Sequence, residues 1–197
     1  LLLKAVEDVV LSGILLIAVS PLFLVIALAI KLDSAGPVFF KQARNGWSGK
    51  TFSIWKFRSM HVHTPEAGQV KQATRNDPRI TRVGRLIRRT SIDELPQLLN
   101  VLKGEMSVVG PRPHAIGSQA NNKFFWEVDR MYWQRHCLKP GLTGLAQVRG
   151  HRGATEREED LTDRLQSDLE YINQWSLLRD IEIVLRTAMV LIHDRAY

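Results

Sequence analysis

The chain has 197 residues, of which 45% are hydrophobic and 24% charged, and this composition excludes a disordered protein. Its formal net charge of +7 favours anionic partners such as phosphorylated substrates, anionic lipid or nucleic acid. The single cysteine, Cys137, excludes an intrachain disulfide and a zinc site built on several cysteines, and we predict that it is buried and inert.

The first predicted element is an apolar helix over residues 9–30, which contain no charged side chain and match a bilayer core in length. A buried core helix is the alternative, and the stretch is too long for a signal peptide. Ser20 and Pro21 lie near its middle, where a proline predicts a kink and a serine hydroxyl can bond a freed backbone group. Because Lys4 and Lys31 flank both ends, charge does not distinguish a bent span from a hairpin that returns to its own side.

Two aromatic-rich runs within residues 36–60 surround a turn at 45–50 and predict a β-hairpin. The letters GKT in this turn are typical of a P-loop, but Arg44 stands where that motif needs glycine, which excludes it. Polar residues 61–81 then predict a loop. Residues 82–90 predict a basic amphipathic helix, with its charged face either in water or at a membrane surface.

The second half of the chain predicts short, mixed elements, which together indicate an α+β fold. A leucine pattern predicts a short helix that Gly104 ends, and the run MSVVGPRP predicts a strand followed by a rigid turn. Three more helices are predicted at 122–136, 156–173 and 177–193, with loop and a short strand in KPGLTGLAQVRG.

Two adjacent carboxylates, Asp93 and Glu94, stand within RRTSIDELPQLLN. Ser91 and Glu94 have the spacing of a capping box, and one interpretation is that the pair serves only to begin a helix. Pro96 favours a different start, because proline prefers the first helical position and moves its predecessor out of helical geometry. In that interpretation the helix begins at Pro96 and the pair is directed beyond its end. Both readings stay open on the pattern alone.

Arginines surround this pair. Arg88 and Arg89 precede it, and Arg112 stands between Pro111 and Pro113, which restrict the directions its guanidinium can take. A planar guanidinium binds phosphate through two parallel hydrogen bonds. Carboxylates combined with arginines predict phosphoryl chemistry with Mg²⁺, which often takes one or two carboxylates together with substrate phosphates.

Several motifs, found in order over essentially the whole chain, resemble one known family. They are SPLFLVIALAIKLDSAGPVFFKQARNG, FSIWKFRSM, RRTSIDELPQLLNVLKGEMSVVGPRP and KPGLTGLAQVRG. The chain resembles the bacterial sugar transferases, the monotopic phosphoglycosyl transferases that begin exopolysaccharide and O-antigen synthesis. Within that family, GPRPHA, RGATE and the closing segment from DLEYINQW onward resemble enzymes that load glucose-1-phosphate from UDP-glucose.

The resemblance implies transfer of a sugar-1-phosphate from a UDP-sugar to undecaprenyl phosphate, with release of UMP; glucose is favoured, and galactose or another sugar is the alternative. It implies that Asp93 is a nucleophile that forms an acyl-phosphate, and that Glu94 and Asp93 associate with Mg²⁺. We expect neighbouring cations to lower the pKa of Asp93 and keep it ionised. The residues implied in phosphate or nucleotide binding are Arg112, Arg88, Lys56, Arg58, Thr143, Gln147 and Arg149.

The resemblance also implies a re-entrant membrane hairpin over residues 1–31, broken at Ser20-Pro21, with both ends cytoplasmic. Residues 32–197 would form a cytoplasmic catalytic domain whose amphipathic helices lie on the bacterial inner membrane, where anionic phospholipid suits the basic surplus. We expect the chain to be the C-terminal part of a longer protein, since related enzymes carry extra N-terminal helices and this chain begins without Met. A homodimer is left open.

Two other classes compete with this reading. A membrane-tethered nucleic-acid binder is disfavoured, because the acidic pair would repel phosphate without a metal, and no nucleic-acid partner is expected. A non-catalytic basic membrane-bound assembly factor would use the pair only as a helix cap. His114, His136 and His151 are scattered and are predicted to be surface or packing residues rather than a metal site.

Overall fold

The computed structural model describes residues 2–62, 77–151, 153, 155 and 157–189. Its helices are α1 (Leu2–Asp33), α2 (Arg82–Arg89), α3 (Leu98–Leu102), α4 (Phe125–Val128), α5 (Leu145–Val148), α6 (Glu158–Asn173) and α7 (Leu177–Met189). Its strands are β1 (Phe39–Asn45), β2 (Thr51–Phe57), β3 (Ser107–Val109), β4 (Gln119–Ala120), β5 (Lys123–Phe124) and β6 (Gly141–Thr143). This mixture of helices and small sheets confirms the α+β prediction. Most of the predicted loop at 61–81 and the end of the helix predicted at 177–193 lie outside the described residues.

Helix α1 packs on the rest of the domain at both of its ends. Its buried residues recur at helical spacing and are Lys4, Asp8, Ser12, Ile26 and Ile30. Its remaining surface is largely apolar and exposed, through Leu2, Leu3, Val6, Val9, Val10, Ile14, Ile17, Leu24, Val25, Leu28 and Leu32. Among the described helices, α1 is long and apolar enough to cross a membrane. Because little of it is buried, it is unlike the core helix of a soluble protein.

Helix α1 continues through Pro21 without interruption. Pro21 has no N–H to give to the carbonyl of Ile17, one turn earlier. The hydroxyl of Ser20 donates to that carbonyl at 2.9 Å, which confirms the predicted role of the serine. The predicted break at Ser20-Pro21 is therefore not an interruption of helical structure, because a side chain takes up the bond that the proline gives up.

The predicted β-hairpin is confirmed. Strands β1 and β2 pair antiparallel from Phe39 opposite Phe57 to Asn45 opposite Thr51. Phe57 of β2 packs against Ile26 of α1 and Ile87 of α2 in one buried cluster. The hairpin thus packs between α1 and the segment that follows α2, where the acidic pair lies.

A second, parallel sheet forms between β3 and β6, which register Ser107 with Gly141 and Val109 with Thr143. The approach is so close that a Cβ atom on Gly141 would lie 2.1 Å from the backbone nitrogen of Gly110. Only glycine allows this contact. The pairing holds the turn after β3, which carries Arg112, against the GLTG segment.

The single helix predicted over residues 122–136 is wrong. Strand β5, the four-residue helix α4 and a 3-10 turn, Tyr132–Cys137, replace it. The backbone of Asp129 is extended, and its carboxylate accepts the N–H of Met131 at 2.7 Å, so a side chain competes with the helical bond and α4 ends. Cys137 is exposed, contrary to its predicted burial, because the inward positions of the 3-10 turn belong to Tyr132 and Arg135.

Candidate active site

The acidic pair lies in a 3-10 turn, Ile92–Gln97, between α2 and α3. Ser91, just before it, adopts a left-handed backbone with φ of 56°, and its side chain makes no cap bond. Pro96 lies inside the turn rather than at the start of a helix. Both local interpretations of the pair were therefore wrong: there is no Ser91 capping box, and the helix does not begin at Pro96. The turn exists because residues before and after the pair pack on β2 and α1.

Glu94 is held by two cations. Lys56 Nζ, on β2, donates to Oε1 at 2.7 Å, and the guanidinium of Arg112 donates to both carboxylate oxygens at 2.8 and 2.5 Å. Only 14% of the Glu94 side chain is exposed. Burial alone would raise the pKa of Glu94, but the charges and hydrogen bonds of Arg112 and Lys56 hold it well below its ordinary value. Glu94 is thus ionised and fixed in direction.

Asp93 is buried beside it in a different environment. No described residue donates a hydrogen bond to its carboxylate, although Lys56, Arg88 and Arg112 all act on it through their charges. Burial raises the pKa of Asp93 to about 6, with the negative charge of Glu94 adding to the effect and the three cations opposing it. The expected lowering of this pKa was wrong, because loss of hydration outweighs the cations.

Two further arginines complete the positive surroundings. The Nε atom of Arg88 is buried without a hydrogen-bond partner among the described residues, and its charge reaches Asp93. Burial, reinforced by the charge of Arg112, lowers the pKa of Arg44 to about 10. Sequence reasoning missed Arg44, which served only to exclude a P-loop. A bridge from Arg44 to Ala115 places it beside the Arg112 turn, and no local pattern predicts that contact.

Arg58 has other partners. It is buried, and its terminal nitrogens donate to the carbonyls of Ser34 and Ala35 at 2.8 and 2.7 Å. These carbonyls follow the end of α1, where backbone acceptors lack helical partners. The structure therefore places Arg58 in a contact that closes α1, and phosphate binding by Arg58 stays a prediction.

The other candidates lie on β6 and α5. Thr143 is buried, with its hydroxyl 2.7 Å from that of Thr187 on α7, and Gln147 is also buried. Arg149 makes two hydrogen bonds to Glu170, at 2.6 and 2.8 Å. None of the three contacts the acidic pair, so their place at a nucleotide stays a prediction.

A cavity of about 480 Å³ lies between α5 and α7. It is lined by Leu145, Arg149, Gln174, Ser176, Leu178, Arg179, Glu182, Ile183 and Arg186. Its arginines form ion pairs with Glu170 and Glu182, and the cavity includes neither Asp93 nor Glu94. The acidic pair is the better candidate active site, because buried carboxylates with shifted pKa values beside cations are typical of active sites. The volume of a cavity does not by itself indicate an active site.

The histidines pack or face the surface, as predicted. His114 and His136 are buried, and burial lowers the pKa of each below its ordinary value, with the charge of Arg135 acting in the same direction. His151 is half-buried. Across the described part of the chain, no three residues among His, Cys, Asp and Glu form a group that could hold a metal.

The two carboxylates nevertheless fit one kind of cation. Mg²⁺ takes hard oxygen ligands and often uses only one or two protein carboxylates, with phosphate oxygens and water completing its shell. Asp93 offers a carboxylate free of donors among the described residues, and Glu94 beside it is ionised. Such a pair suits a cation that arrives with a phosphorylated substrate. The surrounding lysine and arginines suit the remaining phosphate charge.

Comparisons with known proteins point to one family. The family model described as bacterial sugar transferase matches residues 1–194. A UDP-glucose:undecaprenyl-phosphate glucose-1-phosphate transferase of Escherichia coli (strain K12) is 52% identical over 94% of this chain, which spans 39% of that relative. A protein of the same name from Caulobacter vibrioides is 51% identical over 98% of the chain and 72% of the relative. An exopolysaccharide production protein of Rhizobium leguminosarum bv. phaseoli is 49% identical over 96% of the chain and 94% of the relative.

Proposed function

Since the chain belongs to the bacterial sugar transferase family, we propose that it transfers glucose-1-phosphate from UDP-glucose to undecaprenyl phosphate and releases UMP. Two relatives at 52% and 51% identity are named for a UDP-glucose transferase that uses undecaprenyl phosphate. A relative of nearly the same length is named for exopolysaccharide production, which supports a role as the first membrane step of that synthesis.

The observation that carries the proposal is the difference in environment between the two adjacent carboxylates. Glu94 is fixed by Lys56 and Arg112, while Asp93 accepts no hydrogen bond from a described residue and has a raised pKa. A carboxylate without donors keeps its lone pairs for attack, and weak hydration makes it a stronger nucleophile. A helix cap would need neither this burial nor these cations.

The reaction has two displacements at phosphorus. The ionised Asp93 carboxylate attacks the β-phosphorus of UDP-glucose, and the bond from that phosphorus to the bridging oxygen breaks, so that UMP leaves with the electron pair. An oxygen of undecaprenyl phosphate then attacks the same phosphorus, and the acyl-phosphate bond breaks to restore Asp93. No proton or oxidant is required, because both nucleophiles are anions.

The cations around the pair make this attack feasible. A carboxylate that approaches a diphosphate meets like charge, and preorganised positive groups offset that repulsion. Arg112, whose side chain is 37% exposed, can exchange part of its contact with Glu94 for a phosphate oxygen. Lys56 and Arg88 carry the positive charges that act most on Asp93. We propose that Glu94 and Asp93 hold Mg²⁺, which supplies further neutralisation of the diphosphate when it is bound.

We also propose that the chain lies on the cytoplasmic face of the bacterial inner membrane, with α1 entering and leaving by the same side. Lys4 forms an ion pair of 2.6 Å with Asp180 of α7, and Ile30 is buried against the domain. Both ends of α1 therefore contact one globular domain, whereas a complete crossing would place the two ends on opposite sides of the membrane. The exposed apolar face of α1 supports contact with lipid, and the basic surplus suits anionic phospholipid.

The activity is tested by UMP release in vesicles with UDP-glucose, undecaprenyl phosphate and Mg²⁺. Without the acceptor, the wild-type chain should release a burst of UMP equal to the enzyme present, because the glucose phosphate stays on Asp93. Asp93→Asn should abolish both burst and turnover, while the exposed Asp163→Asn on α6 should retain them. Unchanged turnover in Asp93→Asn would exclude the covalent step and leave an assembly factor. UDP-galactose in the same assay tests the choice of sugar.

The topology is tested by cysteine labelling. Because Cys137 is exposed, it is first replaced by serine, and single cysteines are then placed at positions 3 and 33. We expect a membrane-impermeant maleimide to label both from the cytoplasmic side only. Labelling of position 3 from the periplasmic side would show that α1 crosses the membrane.

A further inference from the structure

A buried arginine, Arg135, lies behind the turn that carries Arg112. It belongs to the 3-10 turn Tyr132–Cys137, and 3% of its side chain is exposed. Its Nη2 donates to the carbonyl of Arg112 at 2.7 Å, and its Nη1 lies 2.7 Å from Nδ1 of His114. One guanidinium therefore binds the chain on both sides of Pro113.

The back of this guanidinium is held by α6. Nε and Nη2 of Arg135 donate to one carboxylate oxygen of Asp168, at 3.0 and 2.6 Å, and Asp168 is itself buried. A buried ion pair costs much of its attraction in lost hydration, so it is weak as a source of stability. This ion pair fixes the direction of the Arg135 side chain. The donors of a planar guanidinium lie on three separate nitrogens and point in fixed directions, so they reach partners that the single nitrogen of a lysine ammonium cannot bond together.

His114 fits this arrangement chemically. For Nδ1 to accept from Arg135 it must be unprotonated, and burial together with the charge of Arg135 lowers the pKa of His114 well below its ordinary value. The Tyr132 hydroxyl lies 3.2 Å from the same nitrogen. The neutral imidazole thus serves as a fixed acceptor that joins the Arg112 turn to Arg135.

The turn is fixed on its other flank as well. The N–H of Gly141 donates to the carbonyl of Pro111 at 2.9 Å, and that of Gly110 donates to the carbonyl of Thr143 at 2.9 Å. With β6 on one flank and Arg135 behind, the backbone of Arg112 has little freedom left. Its guanidinium then meets Glu94 in front through two bonds.

We propose that Arg135 is a positioning residue, which fixes the Arg112 turn so that the Arg112 guanidinium points at Glu94 and at the phosphate that Asp93 attacks. This rests on the proposed function. Arg135 itself contacts neither Asp93 nor Glu94 and acts on the reaction only through Arg112. The conservative change Arg135→Lys keeps the charge opposite Asp168 but cannot keep all four contacts, so it loosens the turn without leaving Asp168 unpaired.

A double-mutant cycle tests the proposal. The wild-type chain, Arg135→Lys, Arg112→Lys and the double variant are compared in kcat/KM for UMP release and in thermal unfolding. Because small misplacement of a catalytic group costs up to about 100-fold, we expect Arg135→Lys to lower kcat/KM by roughly 10- to 100-fold in the wild-type background. In the Arg112→Lys background the same change should cost less than about twofold, since its effect is already lost.

Controls separate positioning from general packing. Arg164→Lys alters a buried arginine of α6, which donates to Thr155 and Gly153 and not to the Arg112 turn. This change should lower kcat/KM by the same factor in both backgrounds. Equal losses for Arg135→Lys in both backgrounds would overturn the proposal. If Arg135→Lys does not fold, a second pair decides. His114→Asn keeps an acceptor near the position of Nδ1 and should lower kcat/KM less than His114→Leu, which has none. Equal activity of these two variants would also overturn the proposal. Lack of UMP release by the wild-type chain would contradict the proposed function instead.

Discussion

Removal of the Lys56 charge is expected to move the acid limb of the pH profile. Lys56 lies 2.7 Å from Glu94, and after burial its charge is the largest influence on the pKa of Asp93, in the lowering direction. Lys56→Met takes this influence away, so the pKa of Asp93 should rise above about 6. Because the proposed reaction uses the ionised carboxylate, the rise of kcat/KM with pH should occur at a higher pH in the variant.

The size of the shift follows from the surroundings that remain. An opposite charge within about 4–6 Å lowers the pKa of a carboxylate by roughly one to three units. Because Arg88 and Arg112 still act on Asp93, we expect a shift near the lower limit, about one unit. At about pH 6.5 the ionised fraction of Asp93 then falls about threefold, and at about pH 8.5 it changes by only a few per cent.

The assay is kcat/KM for UMP release at saturating Mg²⁺, measured from about pH 5 to 9, because this ratio reports ionisations of the free enzyme. Lys56→Arg keeps the positive charge and should keep the acid limb in place. Lys41→Met is the second control, since Lys41 lies over the ring of Trp55 on the neighbouring strand, 4.1 Å from its centroid, and makes no contact with the acidic pair. An acid limb that stays in place in Lys56→Met, or moves to lower pH, would show that Asp93 is not the ionising nucleophile.

Two further outcomes are expected. Chelation of divalent ions by EDTA should abolish UMP release, and added Mg²⁺ should restore it without a change in the thermal unfolding of the ligand-free chain; full activity in EDTA would exclude the proposed metal. Gly144→Ala should lower the free energy of unfolding by about 1–3 kcal/mol, because its Cβ would lie 2.2 Å from the carbonyl oxygen of Gly110. Gly13 has open space around it, so Gly13→Ala should change the free energy of unfolding by less than about 1 kcal/mol. Denaturant unfolding measures both.

Local patterns in the sequence were sufficient for much of the fold. Three features depend on residues close together in the chain: the apolar helix, the β-hairpin, and the hydrogen bond from Ser20 to the carbonyl one turn before Pro21. The acidic pair and Arg112 were found in the same way, from residue type and from the prolines beside the arginine. Hydrophobic periodicity and turn residues act over a few residues, so a single sequence is enough to recognise them. The helix predicted over 122–136 failed where the side chain of Asp129 outcompeted a helical bond.

Only the tertiary structure shows that the surroundings of Asp93 and Glu94 differ, because in the sequence they are simply two adjacent carboxylates. Lys56 and Arg112 meet Glu94 across separations of 38 and 18 residues, and neither donates a hydrogen bond to Asp93. The same holds for Arg135, which reaches the Arg112 turn from 23 residues away. The pKa of a carboxylate depends on how much water and how many charges surround it. Both are set by tertiary packing, which brings together segments that are distant in the sequence, and the local pattern of one segment does not predict its contacts with another.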